Sequence, residues 1–461
     1  MSFLIVLAAL VFLMFVAYRG YSVIMFAPVA ALLAVLFTDP SQVLPMFSGV
    51  FLDKMVGFIK LYFPVFMLGA IFGKVIELSG FSKAIVSSVI KFVGQKRAML
   101  SIVLVCAILT YGGVSLFVVV FAVYPFAAEM FKQSNIPKRL IPGTIALGAF
   151  TFTMDSLPGT PQIQNIIPTT FFKTTTYAAP WLGIIGSIFI LGVGLAYLDW
   201  RRRRAAADEE GYGINLVNEP EPFDAEKLVN PWIALLPLIL VGVFNKVFTV
   251  AIPQLYGTSV TVPLVGHPVT IQIGSVAAIW AVEGALLVGI LCVLGFAFRP
   301  VMAKFADGTK AAVAGALLAA MNTASEYGFG GVIAALPGFT VIADALKAIP
   351  NPLVNEAITV SALAGITGSA SGGMSIALAA MSESFIQAAN AAHIPLEVLH
   401  RVASMASGGM DTLPHNGAVI TLLAVTGLTH KTSYRDIFAI TLIKTAAVFV
   451  VIGVYYLTGL Y

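Results

Sequence analysis

Apolar residues fall along this chain in long runs, not in strict alternation, and the runs ask for helices that cross a bilayer. A crossing needs about 20 predominantly apolar residues. Runs of this kind, several of them short or broken, lie at 2–18, 22–37, 60–79, 98–110, 115–131, 139–153 and 180–199. A second series lies at 232–254, 274–297, 311–321, 329–347, 354–369, 374–390, 397–408 and 433–459. Between them stands the one long hydrophilic stretch, about 200–230, with Asn218, Pro220, Pro222 and several acids. The pattern predicts an all-α polytopic membrane protein. Its parts are a first transmembrane unit over 1–199, a linker over 200–230 and a second unit over 231–461. Phe3–Val16 has no positive flank before it and no small-residue cleavage site after it, so it is expected to be a retained span and not a signal peptide.

Several runs are interrupted by residues that helices do not tolerate. Gly112-Gly113 splits one, and Gly365, Gly368, Gly372 and Gly373 break up another. Pro158, Pro161 and Pro168 follow Asp155, and Pro414 follows Asp411. A helix cannot pass cleanly through such places. In hydrocarbon, opened backbone survives only where it is buried in protein or lines a cavity. The interruptions also repeat. Met154-Asp155-Ser156-Leu157-Pro158 returns as Met410-Asp411-Thr412-Leu413-Pro414, 256 residues later. Gly112-Gly113-Val114-Ser115 returns as Gly372-Gly373-Met374-Ser375, 260 residues later. An ionisable residue beside a proline, repeated in both halves of an apolar chain, is the pattern of a secondary transporter. Its site is expected between repeats built of broken helices or re-entrant hairpins.

Composition and charge add an orientation. Charged residues make up 10% of the chain and hydrophobic ones 59%. Soluble domains carry about 25% charged residues, so lipid must be the solvent for most of this chain, whose mean hydropathy is +0.95. The block Arg201-Arg202-Arg203-Arg204 follows a span and precedes Asp208, Glu209 and Glu210. It fits a cytoplasmic anchor better than a nucleic-acid patch, and no nucleic-acid partner is expected. The loop 255–273 has no Lys or Arg and should be external, whereas Arg299, Lys304 and Lys310 bring the chain back inside. Arg19, the one charge in the first turn, puts that turn inside and the N-terminus outside. One half then starts outside and the other inside, which is the inverted-repeat arrangement. Cys106 and Cys292 offer neither a disulfide framework nor metal spacing.

Asp155 and Asp411 are the first candidates for chemistry. A carboxylate at mid-membrane costs about 2.5–3.5 kcal/mol on insertion scales. A proton, a cation or donors from an opened helix must offset that cost. The competing role for both is a helix cap. Glu326, on the Gly-rich stretch with Asn322 and Ser325, is the third candidate for proton coupling. For Glu77 and Glu283, coupling or substrate binding competes with a role as helix-end acids near the headgroups. Around the aspartates lie Thr151, Thr153, Ser156, Thr160, Gln162 and Asn165 in one half, and Ser407, Gly408, Gly409, Thr412, His415 and Asn416 in the other. Hydroxyls, amides and helix N-termini bind carboxylates, although small and hydroxyl residues also pack membrane helices. Gly112, Gly113, Ser115, Gly372, Gly373 and Ser375 fit hairpin tips whose serine caps the next helix. Together with Ser156, Thr160, Gln162, Thr412, His415 and Asn416, they form the expected substrate-binding set. His415 has a further candidate role as a proton relay. Its counterpart, Gly159, cannot share that role. His-Glu-X-X-His, Gly-X-Ser-X-Gly and clustered metal ligands are missing. Neither an enzyme nor a metal or organic cofactor is expected, and the residues alone leave the coupling ion open between a proton and a metal cation.

Three stretches carry a resemblance: Leu109-Thr110-Tyr111-Gly112-Gly113-Val114-Ser115-Leu116-Phe117, Pro142-Gly143-Thr144 leading to Asp155-Ser156-Leu157-Pro158-Gly159-Thr160-Pro161, and Gly408-Gly409-Met410-Asp411-Thr412-Leu413-Pro414-His415-Asn416. With them the chain resembles, over nearly its whole length, the gluconate permease family of proton symporters, and within it the D-3-hydroxybutyrate permease branch. The resemblance implies a small hydroxy-carboxylate substrate, proton symport and the bacterial cytoplasmic (inner) membrane. It also implies the ion-transporter superfamily fold, with inverted repeats, re-entrant hairpins and a transport domain that moves, elevator-like, against a scaffold in a homodimer. The sugar-acid members typically carry His-Pro-Gly-Pro at the first broken helix, where this chain has Leu157-Pro158-Gly159-Thr160-Pro161. The less polar sequence suits a short hydroxy acid better than a polyhydroxylated one. Gluconate as substrate, sodium coupling, a passive channel and an integral-membrane enzyme stand as the alternatives.

Overall fold

Where the apolar runs are unbroken, the chain forms long helices. Where proline or glycine interrupts them, the helices stop or open. The structure, a computed structural model, describes residues 2–19, 21–94, 97–214, 216–220, 228–263, 268–347, 349–414 and 416–461. The first series is α1 (Ser2–Tyr18), α2 (Val23–Thr38), the single turn α3 (Val43–Met46), α4 (Leu52–Leu78), α5 (Phe81–Val93), α6 (Ala98–Tyr111), α7 (Leu116–Gln133), α8 (Ile141–Ala149), α9 (Phe152–Asp155), α10 (Ile163–Phe172) and α11 (Pro180–Ala207). The second begins with α12 (Pro231–Tyr256) and a hairpin of β1 (Ser259–Val262) and β2 (Val269–Gln272). It continues through α13 (Ile273–Met302), α14 (Phe305–Ala335), α15 (Pro337–Lys347), α16 (Pro352–Thr367), α17 (Ala370–Ala391), α18 (Leu396–Gly408), α19 (Gly417–Thr426) and α20 (His430–Thr458). Among the described residues, five segments are long and apolar enough to cross a membrane: Pro40–Leu78, Pro180–Ala207, Pro231–Tyr256, Ile273–Met302 and His430–Thr458. Shorter apolar helices fill in between them, so the fold is that of an all-α polytopic membrane protein.

The structure departs from the sequence pattern in instructive ways. The runs 311–321 and 329–347 are not two spans, because α14 continues straight through Glu326-Tyr327-Gly328-Phe329-Gly330-Gly331 and stops only before Pro337. These glycines stay helical because neighbours crowd against them. A Cβ at Gly328 would lie 2.8 Å from the Phe51 carbonyl oxygen, and one at Gly330 would lie 2.9 Å from Ile376 Cα. The arginine block is not in a loop either. Arg201–Arg204 form the last turns of α11, and Arg201 Nε donates to Asp436 Oδ1 on α20 at 2.5 Å. Gly372-Gly373 does not form a hairpin tip. The tip between α16 and α17 is Gly368, at φ +68°, followed by Ser369, whose hydroxyl accepts the Gly372 N–H. Gly373 instead lets α16 approach, since a Cβ there would fall on the Ala364 backbone. Gly373→Ala should therefore cost about 1–3 kcal/mol or more, as overpacking does, and thermal unfolding in detergent would measure it.

The hydrophilic segment is more than a tether. Lys138, 1% exposed, donates to the Val217 carbonyl at 2.6 Å and pairs with Glu219 at 2.7 Å. Asn218 Nδ2 donates to the Ala424 carbonyl at 3.0 Å, and Arg139 pairs with Glu210 at 2.6 Å. The segment thus straps the start of α8 to the end of α19. Tracing the chain from this strapped end, α12 leads away to the β-hairpin, α13 returns, and α14 leads away again to Gly338. There the Gly338 backbone lies against the Ser2 carbonyl, so the start of α1 lies at the end remote from the strap.

Candidate functional site

The first aspartate sits where a helix opens. α8 ends at Phe150, and Thr151, at φ −128° and ψ −125°, breaks the path before the single turn of α9. Asp155 closes that turn and is fully buried. Its carboxylate forms an ion pair with Lys444 of α20, also fully buried, and accepts from the Ser156 hydroxyl at 2.8 Å. Lys444 Nζ donates as well to the Phe150 carbonyl at 3.2 Å, one of the groups left unpaired by the opened helix. Gly408 makes room for this meeting, because a Cβ there would strike both the Asp155 carboxylate and the Lys444 ammonium.

Backbone around the opening is held from α18. Arg401, fully buried, donates through Nη1 to the Asp155 carbonyl at 2.7 Å and to Asn165 Oδ1 at 3.0 Å, and through Nη2 to the Ala178 carbonyl at 2.7 Å. The Ser404 hydroxyl donates to the Asp155 carbonyl at 2.9 Å. His400 lies between Thr174 Oγ1 at Nδ1, 2.6 Å away, and Asn165 Oδ1 at Nε2, 3.2 Å away. Since Oδ1 only accepts, Nε2 carries a proton, and in the neutral ring Nδ1 then accepts from the threonine.

The second aspartate is stabilised differently. Asp411 belongs to the 3₁₀ turn Gly409–Thr412 that follows α18. Its Oδ1 accepts from the Ala370 backbone N–H at 3.0 Å and from Asn416 Nδ2 at 3.3 Å, while Oδ2 accepts from Gln164 Nε2 at 2.9 Å. A carboxylate at the first N–H of α17 meets the positive end of that helix. Neither aspartate caps the helix that follows it. Asp411 caps one distant in sequence, and Asp155 ends its own turn. Gln164 joins the two openings directly.

The remaining predicted residues divide by what they bond. Thr160 Oγ1 donates to the Thr153 carbonyl at 2.6 Å, and Thr412 Oγ1 lies 2.6 Å from Thr441 Oγ1. Gln162 Nε2 donates to the Thr110 carbonyl at 2.7 Å, and Asn416 Nδ2 to the Gly368 carbonyl at 2.8 Å. An amide of each opening thus grips the nearby hairpin tip. Gly113, at φ +96°, makes the first tip, which is packed by Gly112 against Leu238. Ser115 holds the N-cap position of α7 but makes no side-chain cap bond, and Ser375 is buried inside α17 with its hydroxyl unpartnered, so neither serine caps as expected. Glu326, 2% exposed, faces Gly372 and lies within reach of the Ser369 hydroxyl, and its Oε2 has no protein partner. His415 lies outside the described residues. Glu77 pairs with Lys74 at 2.9 Å on an exposed helix face, as a helix-end acid would. Neither of two surface hollows of about 680 and 520 Å³, one beside Arg97 and Arg202 and one beside Lys173 and Gly257, is lined by the predicted residues.

No family model matches the chain. An uncharacterised transporter, YxjC of Bacillus subtilis strain 168, is 61% identical to it over the full length of both chains. The chain belongs to the YxjC transporter family. The crystal structure of the YdaH transporter of Alcanivorax borkumensis, described as having an unusual topology, superposes with a TM-score of 0.55. It covers 88% of each chain at 16% identity, a likeness of fold alone. The YxjC-family chain is thus a transporter and not an enzyme.

Sequence reasoning missed Lys444 and Arg401, the two buried cations that hold the first opening. A signal for both existed. Each is a lone cation in an apolar run, and an intramembrane charge is by default functional or paired. A second missed repeat is Asn135-Ile136-Pro137 against His393-Ile394-Pro395. Asn135 at φ +52° and His393 at φ +54° both turn the chain into the helix that opens.

Proposed function

We propose that this transporter imports a small hydroxy-monocarboxylate, with D-3-hydroxybutyrate as first candidate, by proton symport across the bacterial cytoplasmic membrane. The observation that carries the proposal is Glu326, a buried carboxyl with one oxygen lacking any protein partner beside the first turn of α17. An uncompensated carboxylate in such a place is costly, so the group is stable when it holds a proton. Protonation removes a negative charge next to Asp411 and lets a substrate anion enter. Asp155 is committed to Lys444, and Asp411 to three protein donors, which leaves Glu326 as the proton carrier of the three acids.

For the substrate carboxylate, the open N-terminus of α7 and the uncapped Ser115 hydroxyl supply donors. Ser375 supplies a further free hydroxyl. Thr160, Gln162, Thr412 and Asn416 shape the pocket through the backbone they hold. The proposed architecture is two inverted repeats related near Asp155 and Asp411, arranged in a homodimer of the gluconate permease type. The offset from Gly113 to Gly368 is 255, that from Gln162 to Asn416 is 254 and that from Asp155 to Asp411 is 256, a closer agreement than the 260 of the glycine pairs. The placement of Ser2 at the end remote from the strap supports the inversion.

Counterflow tests the substrate. Proteoliposomes loaded with unlabelled D-3-hydroxybutyrate should take up the labelled compound, with lactate and acetoacetate competing and gluconate not. Competition by gluconate alone would overturn the short-acid assignment.

A further inference from the structure

The opening of the first broken helix has the makings of a cation site: a buried carboxylate from Asp155, a backbone carbonyl from Phe150 freed by the break, and a hydroxyl from Ser156 beside them. In transporters with discontinuous helices, unwound carbonyls of this kind coordinate small cations. In this chain the space is taken by the ammonium of Lys444, which reaches in from α20 and touches both the carboxylate and the Phe150 carbonyl. Gly408 keeps α18 clear of the pair. At the equivalent opening of the other half, Asp411 is served by N–H donors instead.

We propose that Lys444 is a tethered cation occupying a monovalent metal-ion site built by Asp155 and the Phe150 carbonyl, so that removing the ammonium opens that site to Na⁺. Asp155 must be neutralised in every state of a buried opening. A covalently held ammonium does this permanently, and the transporter has no need of a metal ion there. The proposal concerns the ion requirement and rests on the transporter assignment, not on the identity of the substrate. Lysine is a compact point charge on a flexible stem, so truncation to alanine leaves a volume that an ion with one or two waters can fill.

The test is thermal unfolding of the full-length protein in detergent, in NaCl, KCl or choline chloride at constant ionic strength. Wild type should show the same midpoint in all three salts. Lys444→Ala should be raised by several degrees in a saturable, Na⁺-specific manner. Lys444→Ala with Asp155→Asn should be insensitive again, because the carboxylate that would hold the ion is gone. A Lys444→Ala protein with no Na⁺-specific shift would overturn the proposal. So would failure to recover Lys444→Ala in NaCl while the double variant folds, and so would a wild type that itself needs Na⁺. Because the readout is stability, its failure is distinct from failure of hydroxybutyrate counterflow.

Discussion

In Glu326→Gln, counterflow of substrate persists while proton-driven accumulation disappears. Glutamine has the shape of a protonated glutamate and cannot release the proton. The variant is therefore held in the state that admits the anion. It can exchange one substrate molecule for another but cannot convert a proton gradient into net uptake. The size of the effect follows from the gradient. A one-unit pH difference is worth 1.36 kcal/mol, so symport of one proton with one monoanion supports about tenfold accumulation, and the variant should fall to about onefold. The measurement compares labelled substrate inside and outside proteoliposomes at steady state, with counterflow run on the same preparation. Retention of tenfold accumulation in Glu326→Gln would assign the proton to another group. Loss of both activities would make Glu326 a structural or substrate-holding residue.

Asp155→Asn should cost about 3–5 kcal/mol of stability, the penalty for leaving one member of a buried ion pair uncompensated. Lys444 would then be a fully buried ammonium with a carbonyl as its main partner. Replacing both groups, as Asp155→Asn with Lys444→Met, should recover most of the loss, since exchanging a buried pair for neutral groups of similar volume is often close to neutral. Thermal unfolding of the four proteins in detergent forms a double-mutant cycle. A large coupling with a stable double variant is the expected result. Additive losses would mean that the two groups act separately. The same double variant also separates stability from transport, because it restores packing without restoring the charge pair.

Much of the candidate site's geometry was legible because it breaks local rules. Proline and glycine beside an acid in an apolar run mark an opened helix, and the aspartate phrase appears twice. The structure opens the chain at Phe150-Thr151 and after Gly408, close to where those phrases point. What pairs with each aspartate was hidden, since Lys444 comes from α20 and the Ala370 N–H from α17, brought there only by tertiary packing. The glycine pairs misled in part. The letters Gly-Gly-X-Ser match, but Gly372 and Gly373 serve close approach to Glu326 and Ala364, while Gly368 makes the turn. Glycines within α14 misled in the same way. Their low helix propensity is a weak prior that packing overrides, and Phe51 and Ile376 supply the packing. Amphipathic helices such as α5, whose Ser and Lys interrupt the apolar residues, escaped a search based on apolar runs.

The most direct test of proton-coupled uptake of a short hydroxy acid by this YxjC-family transporter is accumulation of labelled D-3-hydroxybutyrate in proteoliposomes with an inward proton gradient in sodium-free buffer, with and without a protonophore. Accumulation that the protonophore abolishes is the predicted result. No accumulation, or accumulation that follows a sodium gradient and ignores the protonophore, would contradict it.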